Sequence, residues 1–365
     1  MNLKIKKTVL LEALIKVSKA LSNKNLVPIL GCIKFNLKTD KLILTATDND
    51  IIIEVTILQE KENMEIIKEG SFIIQGKYII DIVKKLADEV IEIKVLEDYK
   101  ILINSKNSEF NLNGLNENEY PKINLDINKN PIKINNKLFK NIINQTSFAS
   151  SNDESRPVLT GINFNIVGNL LECTATDSYR LAKTNITINT KIENDYNIII
   201  PSKNLLELIK ILDDNNDDIE IHIFNNKILF KINNVLFQSR LINGQYPNTT
   251  NLIPQESNLK IKINTLNLYD VLDRASILTS DKEKNIIFFE TKKQKLFIKS
   301  SSLEIGKVEE KIDIEKNNDS EIKIAFSSKY MMDSLKSFND EYVDILLVSE
   351  TKPIIIKSTE HDNLI

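Results

Sequence analysis

Lys77-Tyr-Ile-Ile-Asp-Ile-Val-Lys-Lys-Leu86 is a helix-like segment that this chain contains in three copies. The second copy is Lys203-Asn-Leu-Leu-Glu-Leu-Ile-Lys-Ile-Leu212, and the third is Lys329-Tyr-Met-Met-Asp-Ser-Leu-Lys-Ser-Phe338. Successive copies begin 126 residues apart, and no gap is needed to align them. Counting the first Lys as zero, positions 2, 3, 6 and 9 are apolar in every copy and are predicted to form one apolar arc of the helix. Because a solenoid repeats every ~20–50 residues, so long a period indicates repeated domains. We therefore expect one domain architecture used three times, as in a ring or an array.

A second helix-like pattern lies upstream of the first in each third of the chain. It recurs every 129 residues as Leu10, Leu14 and Ser18, then Phe139, Ile143 and Ser147, then Leu268, Leu272 and Ser276. Two shorter motifs also recur. Thr45-Ala-Thr-Asp48 returns 129 residues later as Thr174-Ala-Thr-Asp177, and Tyr120-Pro121 returns 126 residues later as Tyr246-Pro247. These independent coincidences support the triplication.

Between the helix-like segments, apolar and polar residues alternate with the period of half-buried strands. Lys41-Leu-Ile-Leu-Thr-Ala-Thr47 and Ile219-Glu-Ile-His-Ile-Phe224 are examples. Clusters of Asn, Asp and Lys separate them and are typical of turns. Each third is therefore predicted to be an α+β domain, with two helices packed on antiparallel sheet. We expect the domains to span residues 1–125, 126–253 and 254–365.

The composition is that of an ordinary globular protein, with 42% hydrophobic and 27% charged residues. The net charge of −3 gives no global basic signature, although a local basic surface remains possible. Cys32 and Cys173 lie in apolar, strand-like surroundings and are expected to be reduced, buried thiols. No apolar run approaches the ~18–20 residues of a membrane span, and no cleavable signal is evident. We expect a cytoplasmic protein.

Groups suited to catalysis are scarce in this sequence. His222 and His361 are the only histidines and have no metal-ligand spacing, and the eight glycines form no phosphate-binding loop. Each Thr-Ala-Thr-Asp motif supplies a single carboxylate, which is better explained as a turn residue that bonds its own backbone. The sequence therefore favours a non-enzymatic function without a metal or cofactor.

Each copy of the first helix carries two lysines seven residues apart, with an acidic residue three positions before the second. The pairs are Lys77 and Lys84, Lys203 and Lys210, and Lys329 and Lys336; the acidic residues are Asp81, Glu207 and Asp333. One interpretation is a solvated face with i,i+3 ion pairs. The other is a basic face that the chain uses three times. Both interpretations remain open at this point.

Three segments resemble one known family. They are Pro28-Ile-Leu-Gly31, Thr174-Ala-Thr-Asp-Ser-Tyr-Arg-Leu-Ala182 and Asn243-Gly-Gln-Tyr-Pro247. With the triplication, they make the whole chain similar to the bacterial DNA polymerase III beta subunit, the replication sliding clamp. The resemblance implies a head-to-tail homodimer whose six similar domains form a ring, with helices lining a hole that holds duplex DNA. Such a ring catalyses nothing and makes a polymerase processive, while sequence-independent phosphate contacts let it slide.

The resemblance also implies site residues. It places Lys24, Lys77 and Lys203 near DNA, and the internal repeat extends this set to Lys84, Lys210, Lys329 and Lys336. A pocket for a short linear motif, apolar with a Gln, from polymerase, clamp loader and repair proteins would use Leu159, Thr176, Ser178, Tyr179, Arg180, Leu181, Pro247 and Leu252. For Leu159, Leu181 and Leu252, plain core is the alternative. The dimer contact would pair Phe110 and Leu112 with Ile277 and Leu278.

The chain departs from the family pattern in two places. Asn251 stands where an Arg often occurs, and the chain stops at Ile365, whereas the family usually continues for several residues that complete the pocket. We expect weaker peptide binding than in a chain with that ending. A different class of function also stays open: a three-domain adaptor of the same fold that binds proteins and never encircles DNA. An enzyme is the third and least supported alternative.

Overall fold

The computed structural model describes residues 1–22, 27–127, 130–188, 192, 194–213, 215, 217–254, 256–279, 285–302 and 304–360. These residues form two compact units. The first unit comprises Met1–Lys137 and Lys203–Leu241, and the second comprises Leu138–Ser202 and Ile242–Ile365. No helix in the described ranges is long and apolar enough to cross a membrane.

Six α-helices occur in the described chain, and they are the two predicted sets of three. In chain order they are α1 Lys7–Val17, α2 Gly76–Lys85, α3 Asn136–Ser147, α4 Ser202–Ile209, α5 Thr265–Ser276 and α6 Ser328–Leu335. Helices α2, α4 and α6 are the copies of the first segment, and α1, α3 and α5 carry the second pattern. The helix predictions are therefore confirmed.

The strands number twenty-five over the same described ranges. In chain order they are β1 Asn2–Lys6, β2 Cys32–Leu37, β3 Lys41–Thr47, β4 Ile51–Leu58, β5 Met64–Lys68, β6 Gly70–Gln75, β7 Val90–Val95, β8 Lys100–Ser105, β9 Ser108–Asn113, β10 Ile132–Asn135, β11 Gly161–Val167, β12 Leu170–Thr176, β13 Leu181–Thr187, β14 Tyr196–Pro201, β15 Asp218–Ile223, β16 Lys227–Ile232, β17 Val235–Arg240, β18 Leu259–Asn264, β19 Ile286–Lys292, β20 Lys295–Ser302, β21 Gly306–Asp313, β22 Glu315–Lys316, β23 Lys323–Ser327, β24 Tyr342–Leu347 and β25 Ile355–Ser358.

The first unit contains two antiparallel sheets. Their strand orders are β5-β1-β7-β8-β9 and β10-β15-β16-β17-β4-β3-β2-β6. In the larger sheet β17 pairs with β4, and Phe237 lies opposite Ile53. Strands from two different thirds of the chain therefore share one hydrogen-bonded sheet. This continuity explains why the first compact unit takes in Lys203–Leu241 rather than ending with the first repeat.

The second unit contains three four-stranded antiparallel sheets, with the orders β13-β12-β11-β14, β22-β18-β24-β25 and β21-β20-β19-β23. One core cluster joins the last two sheets to α5 and α6. It includes Leu268 and Leu272 of α5, Met331 and Leu335 of α6, and Phe289 of β19. This packing of two helices on antiparallel sheet is the predicted α+β arrangement, because the helices bury one apolar face against the strands.

The repeated helices bury a narrower face than predicted. Ile79, Leu205 and Met331 are buried, and so are the residues four positions later in each copy. The residues directly after the first three, Ile80, Leu206 and Met332, were expected in the same apolar arc but are half-buried or exposed. Successive residues lie ~100° apart around a helix, so these side chains point toward the edge of the face.

The two Thr-Ala-Thr-Asp motifs form the same turn. In the second motif, the Thr176 hydroxyl donates to the Arg180 carbonyl oxygen at 2.6 Å, and Asp177 Oδ1 accepts from the backbone N–H groups of Tyr179 and Arg180 at 2.9 and 3.0 Å. Ser178 has a positive φ of 78°. The prediction that this Asp bonds its own backbone is confirmed.

The first motif repeats this geometry in the first unit. Asp48 Oδ1 accepts from the N–H groups of Asp50 and Ile51 at 2.9 and 2.8 Å, and Asn49 has a φ of 76°. The repeated sequence thus builds matching turns in the two units.

The two cysteines, Cys32 and Cys173, are buried and free, as predicted, and burial raises the pKa of both thiols.

Candidate functional site

The second unit contains a cavity of about 500 Å³. One wall is the turn between β12 and β13 together with residues 252–254. The facing wall comes from the end of β23, the helix α6 and the segment 350–356 that leads into β25. Most of the lining is apolar, including Leu181, Ile324, Phe326, Ile354 and Ile356. A cavity of this size and lining suits an apolar ligand with a few polar contacts.

Six of the eight predicted pocket residues line this cavity. They are Thr176, Ser178, Tyr179, Arg180, Leu181 and Leu252. The other two do not. Leu159 is buried, as expected for plain core, and Pro247 is exposed outside the lining. A role for Leu159 and Pro247 in partner binding therefore stays a prediction.

Arg180 lies at the centre of a polar cluster in this mainly apolar cavity. Its Nε donates to Asp177 Oδ2 at 3.1 Å, and its Nη1 donates to Asp333 Oδ2 at 2.7 Å. The guanidinium carbon also lies 4.5 Å from the ring centre of Tyr330 and 5.5 Å from that of Phe148. Two ion pairs and two cation–π contacts therefore fix the orientation of this side chain.

Tyr246 braces the turn that carries Arg180. Its hydroxyl oxygen accepts a hydrogen bond from the backbone N–H of Thr176 at 2.9 Å. Burial raises the pKa of Tyr246 to about 12, although the hydrogen bond from Thr176 acts in the opposite direction. The equivalent residue of the first unit, Tyr120, is also buried, and its hydroxyl donates to the Thr45 carbonyl oxygen at 3.1 Å.

The part of the site that comes from the third repeat was not predicted from the sequence. Tyr330 and Asp333 contact Arg180, and residues 350–356 form much of the facing wall. Phe148, from the second third of the chain, also contacts Arg180 and was not predicted. Asp333 was grouped with Asp81 and Glu207 as a partner of a lysine three positions later. The sequence does place Tyr330 and Asp333 close together on one amphipathic helix. No local pattern, however, connects them to Arg180, which lies 153 residues from Asp333.

The predicted basic residues are exposed wherever the structure describes them: Lys77, Lys84, Lys203, Lys210, Lys329 and Lys336. Lys24 lies outside the described residues. Three of the six have a partner. Lys203 pairs with Asp50 at 3.1 Å, Lys210 pairs with Glu207 at 2.6 Å, and Lys336 lies 5.3 Å from the ring centre of Tyr269. A hydrogen bond with Tyr269 raises the pKa of Lys336.

The remaining lysines, Lys77, Lys84 and Lys329, form no ion pair within the described ranges. Of the three possible i,i+3 pairs, Glu207 with Lys210 is formed, whereas Asp333 turns toward Arg180 instead. The ion-pair interpretation therefore holds for α4, and the third copy uses its acidic residue differently. Unpaired lysines keep their full charge available for an external anion.

The predicted dimer residues lie on an edge strand and directly after a helix. Phe110 and Leu112 are on β9, which is the outer strand of its five-stranded sheet, and Phe110 is exposed. Ile277 and Leu278 follow the end of α5, and Ile277 is 73% exposed. In the same unit β21 is the outer strand of its sheet. Outer strands leave backbone groups unpaired and can join another chain.

Family models cover nearly the whole chain. The N-terminal, central and C-terminal domains of the DNA polymerase III beta subunit match residues 1–126, 133–248 and 250–365, respectively. The chain belongs to the DNA polymerase III beta subunit family. Its α+β fold of three repeated clamp domains is therefore confirmed, and the beta subunit is a non-catalytic processivity component rather than an enzyme.

Known beta subunits are similar over their full length. The beta sliding clamp of Staphylococcus epidermidis is 39% identical over 367 residues, which cover 100% of this chain and 97% of that protein. The DNA polymerase sliding clamp of Bacillus subtilis is 40% identical with a TM-score of 0.96, covering 100% of this chain and 97% of that one. The beta chain of Streptococcus pneumoniae is 34% identical with a TM-score of 0.95, at 100% and 98% coverage.

Proposed function

We propose that two copies of this chain close head to tail around duplex DNA and tether the replicative polymerase. The observation that carries this proposal is the match of three beta-subunit domains along the chain. The proposal assigns residues 1–125, 126–253 and 254–365 to the three domains, so that the dimer is a ring of six. We expect the protein to act in the cytoplasm, where bacterial DNA is replicated.

The basic helices supply the contact with DNA in this proposal. Lys77 and Lys84 of α2 and Lys329 of α6 are exposed and form no ion pair in the described part of the chain. Lysine contacts to phosphate carry no sequence information and weaken as salt rises, because binding releases counterions. Enclosure within a ring would hold the DNA, while weak contacts of this kind would let the ring slide along it.

The dimer contact proposed here joins β9 of one subunit to β21 of the other. Each is the outer strand of its sheet among the described residues, so its outward backbone groups are available for pairing. The contact is heterologous, because the two edges come from different parts of the chain. It gives a closed ring only when the rotation is completed, here by two subunits. Phe110 and Leu112, with Ile277 and Leu278, would pack beside this joint.

The cavity next to Arg180 is proposed as the docking site for short linear motifs of polymerase, clamp loader and repair proteins. Its volume of about 500 Å³ and its apolar walls suit a few anchoring side chains of an extended peptide. Docking by a short peptide lets several partners use one site in turn. No catalytic group is needed for this role.

A topological assay tests the proposed function. The purified protein is loaded by a clamp-loader complex and ATP onto a nicked circular plasmid, and retention is measured by gel filtration. The proposal predicts that the protein elutes with the circular DNA and is released when a restriction enzyme linearises it. Equal retention on circular and linear DNA, or none on either, would favour the adaptor that never encircles DNA.

A further inference from the structure

The sheet β21-β20-β19-β23 has one buried face and one open face. Ile287, Phe289 and Ile298 point into the core and are at most 1% exposed. Phe288 and Phe297 alternate with them along β19 and β20, so they point to the opposite side of the sheet. Phe288 is 40% exposed. We call this side of the sheet the open face.

The two phenyl rings are diagonal neighbours on the open face. Phe288 lies opposite Lys299, and Phe297 is two residues from Lys299 on the same strand. Side chains in this relation are ~7–8 Å apart, so both rings can contact one extended ligand. Aromatic side chains on an open four-stranded sheet provide flat surfaces on which unpaired bases can stack.

Of the described residues, six lysines and three carboxylates lie on the open face. The lysines are Lys292, Lys295, Lys299, Lys307, Lys311 and Lys323. The face therefore carries a formal charge of +3, although the chain as a whole carries −3. Charge complementarity favours an anionic partner for this face.

Three of the lysines are paired with the three carboxylates. The ion pairs join Glu290 with Lys292 and Lys299, Glu309 with Lys299, and Asp313 with Lys295, at 2.8–3.1 Å. Lys307, Lys311 and Lys323 form no ion pair in the described ranges. Because Lys311 lies opposite Phe297, a phosphate can be bound beside a stacked base.

We propose that the open face binds single-stranded DNA. Bases stack on Phe288 and Phe297, and phosphates contact Lys311 and Lys323. The partner is single-stranded, because a duplex keeps its bases inside the helix and cannot offer them to the rings. It is DNA, because the chain belongs to a DNA polymerase subunit family. The helices α5 and α6 pack on the buried face, so this site lies across the sheet from the helix that carries Lys329.

The other two repeats lack the pair of rings. The same strand pairing places Asn163 and Glu172 at the matching positions of the second repeat, and Lys34 and Ile43 at those of the first. The aromatic pair therefore belongs to the third repeat alone, and the repeated architecture does not require it.

The matching face is also covered in the other two repeats. The backbone N–H of Leu115 donates to the Ile73 carbonyl oxygen at 3.0 Å, and that of Ile242 donates to the Ile199 carbonyl oxygen at 2.9 Å. Ile73 and Ile199 are buried, whereas Ala325, at the matching position of the third repeat, is exposed. The open face of the third repeat is thus accessible where its counterparts are not.

Ring closure is compatible with this site. In the proposed dimer, β21 pairs through its edge, and its backbone hydrogen bonds run in the plane of the sheet. Side chains of the open face stand roughly perpendicular to that plane. Joining β21 to another strand would therefore leave the rings and lysines accessible.

The test measures the binding of fluorescein-labelled oligonucleotides to the intact protein by anisotropy. The probes are an oligothymidylate of ~12 nucleotides, an oligouridylate and a hairpin duplex of equal length. Phe288→Ala should weaken oligothymidylate binding about tenfold, the size of one lost stacking contact, and leave hairpin binding unchanged. Phe288→Leu should weaken it as well, because it keeps an apolar side chain but removes the ring. Lys311→Gln should lower the slope of log K against log salt by about 0.7.

Two matched controls separate the open face from general surface effects. Tyr342→Ala removes another exposed ring of the same unit, which lies on β24 with Lys262 at 5.0 Å from its centre. It should leave oligothymidylate binding unchanged. Lys295→Gln removes a lysine that Asp313 already pairs at 3.1 Å, so it should change the salt slope less than Lys311→Gln does.

Unchanged oligothymidylate binding in Phe288→Ala, or no binding by the wild-type protein, overturns the proposal. Should Phe288→Ala fail to fold, the exposed Lys311→Gln decides, and an unchanged salt slope overturns it. Binding of a capped peptide of alternating Glu and Phe in place of the oligothymidylate would make the face a protein-docking surface instead. Tighter binding of the oligouridylate would overturn the assignment to DNA. Retention of Phe288→Ala on circular plasmid at the wild-type level would separate this face from ring closure.

Discussion

The hydroxyl oxygen of Tyr246 accepts a hydrogen bond from the backbone N–H of Thr176 across 2.9 Å. Thr176 ends β12, and its own hydroxyl closes the turn onto the carbonyl oxygen of Arg180. One phenol therefore supports the whole turn that carries Tyr179 and Arg180 into the cavity. The Tyr-Pro motif that repeats in the sequence thus marks a structural brace for each repeated turn, since Tyr120 contacts the equivalent strand of the first unit.

Replacing Tyr246 by Phe should lower both stability and peptide affinity. The change leaves the N–H of Thr176 without its partner, which costs on the order of 1–2 kcal/mol for a buried donor. Urea unfolding would measure the loss of stability, and fluorescence anisotropy with a labelled peptide of the expected motif, apolar with a Gln, would show weaker binding. Tyr179→Phe is the control, because Tyr179 is exposed and its hydroxyl forms no hydrogen bond in the described chain. Equal unfolding midpoints for the two variants would refute the brace.

Tyr246 also predicts a pH dependence of stability. Burial raises its pKa to about 12, from an ordinary value near 10. The folded state therefore favours the neutral phenol, and this contribution to stability is complete below pH ~10 and is lost as the pH rises to ~12. The free energy of unfolding should fall across this window, and it should fall less steeply in Tyr246→Phe. Identical slopes for the two proteins would rule out this contribution.

The basic helices predict unequal effects of single lysines on DNA binding. Lys77→Gln or Lys84→Gln removes a charge without an ion pair, so the slope of log K against log salt should fall by about one. Lys210→Gln should change the slope less, because Glu207 already compensates this lysine at 2.6 Å. Binding of a labelled duplex across a salt series measures all three. Equal slopes for Lys77→Gln and Lys210→Gln would contradict the distinction.

The proposed ring predicts a monomer when its joint is weakened. Ile277→Ala combined with Leu278→Ala removes apolar contact from one side of the dimer, so sedimentation at low micromolar concentration should show single chains. Leu266→Ala is a stringent control, since Leu266 lies on α5, the helix that precedes Ile277, and both residues are 73% exposed. It should remain a dimer. A dimer that survives the double substitution would place the contact elsewhere.

Local features of the fold could be predicted from sequence. The helices α2, α4 and α6 and the turns at Asp48 and Asp177 depend on residues within a few positions of each other, so periodicity and turn chemistry identify them. The pairing of β17 with β4 could not be predicted, because hydrogen bonds between distant strands leave no local pattern. The burial of the helices was predicted too broadly for the same reason: the neighbouring elements decide where the buried face ends.

One wall of the candidate site could be predicted from the sequence, and the facing wall could not. The wall formed by Thr176, Ser178, Tyr179, Arg180 and Leu181 is one continuous segment and was found through its resemblance to a family. The facing wall on α6 and residues 350–356 was missed, because the contact between Arg180 and Asp333 spans 153 residues. Leu159 and Pro247 were expected from the same resemblance but do not line the cavity. The resemblance identified the segment that forms one wall but not every side chain that lines the cavity.

Two chains are proposed to close into a ring with an open centre. Negative-stain electron microscopy combined with light scattering on the same sample would show this ring and its mass. Ring closure predicts six-lobed rings and a particle of twice the 41.8 kDa chain mass. Compact or elongated particles of single-chain mass across the concentration range would contradict ring closure and leave the adaptor function as the better explanation of the same fold.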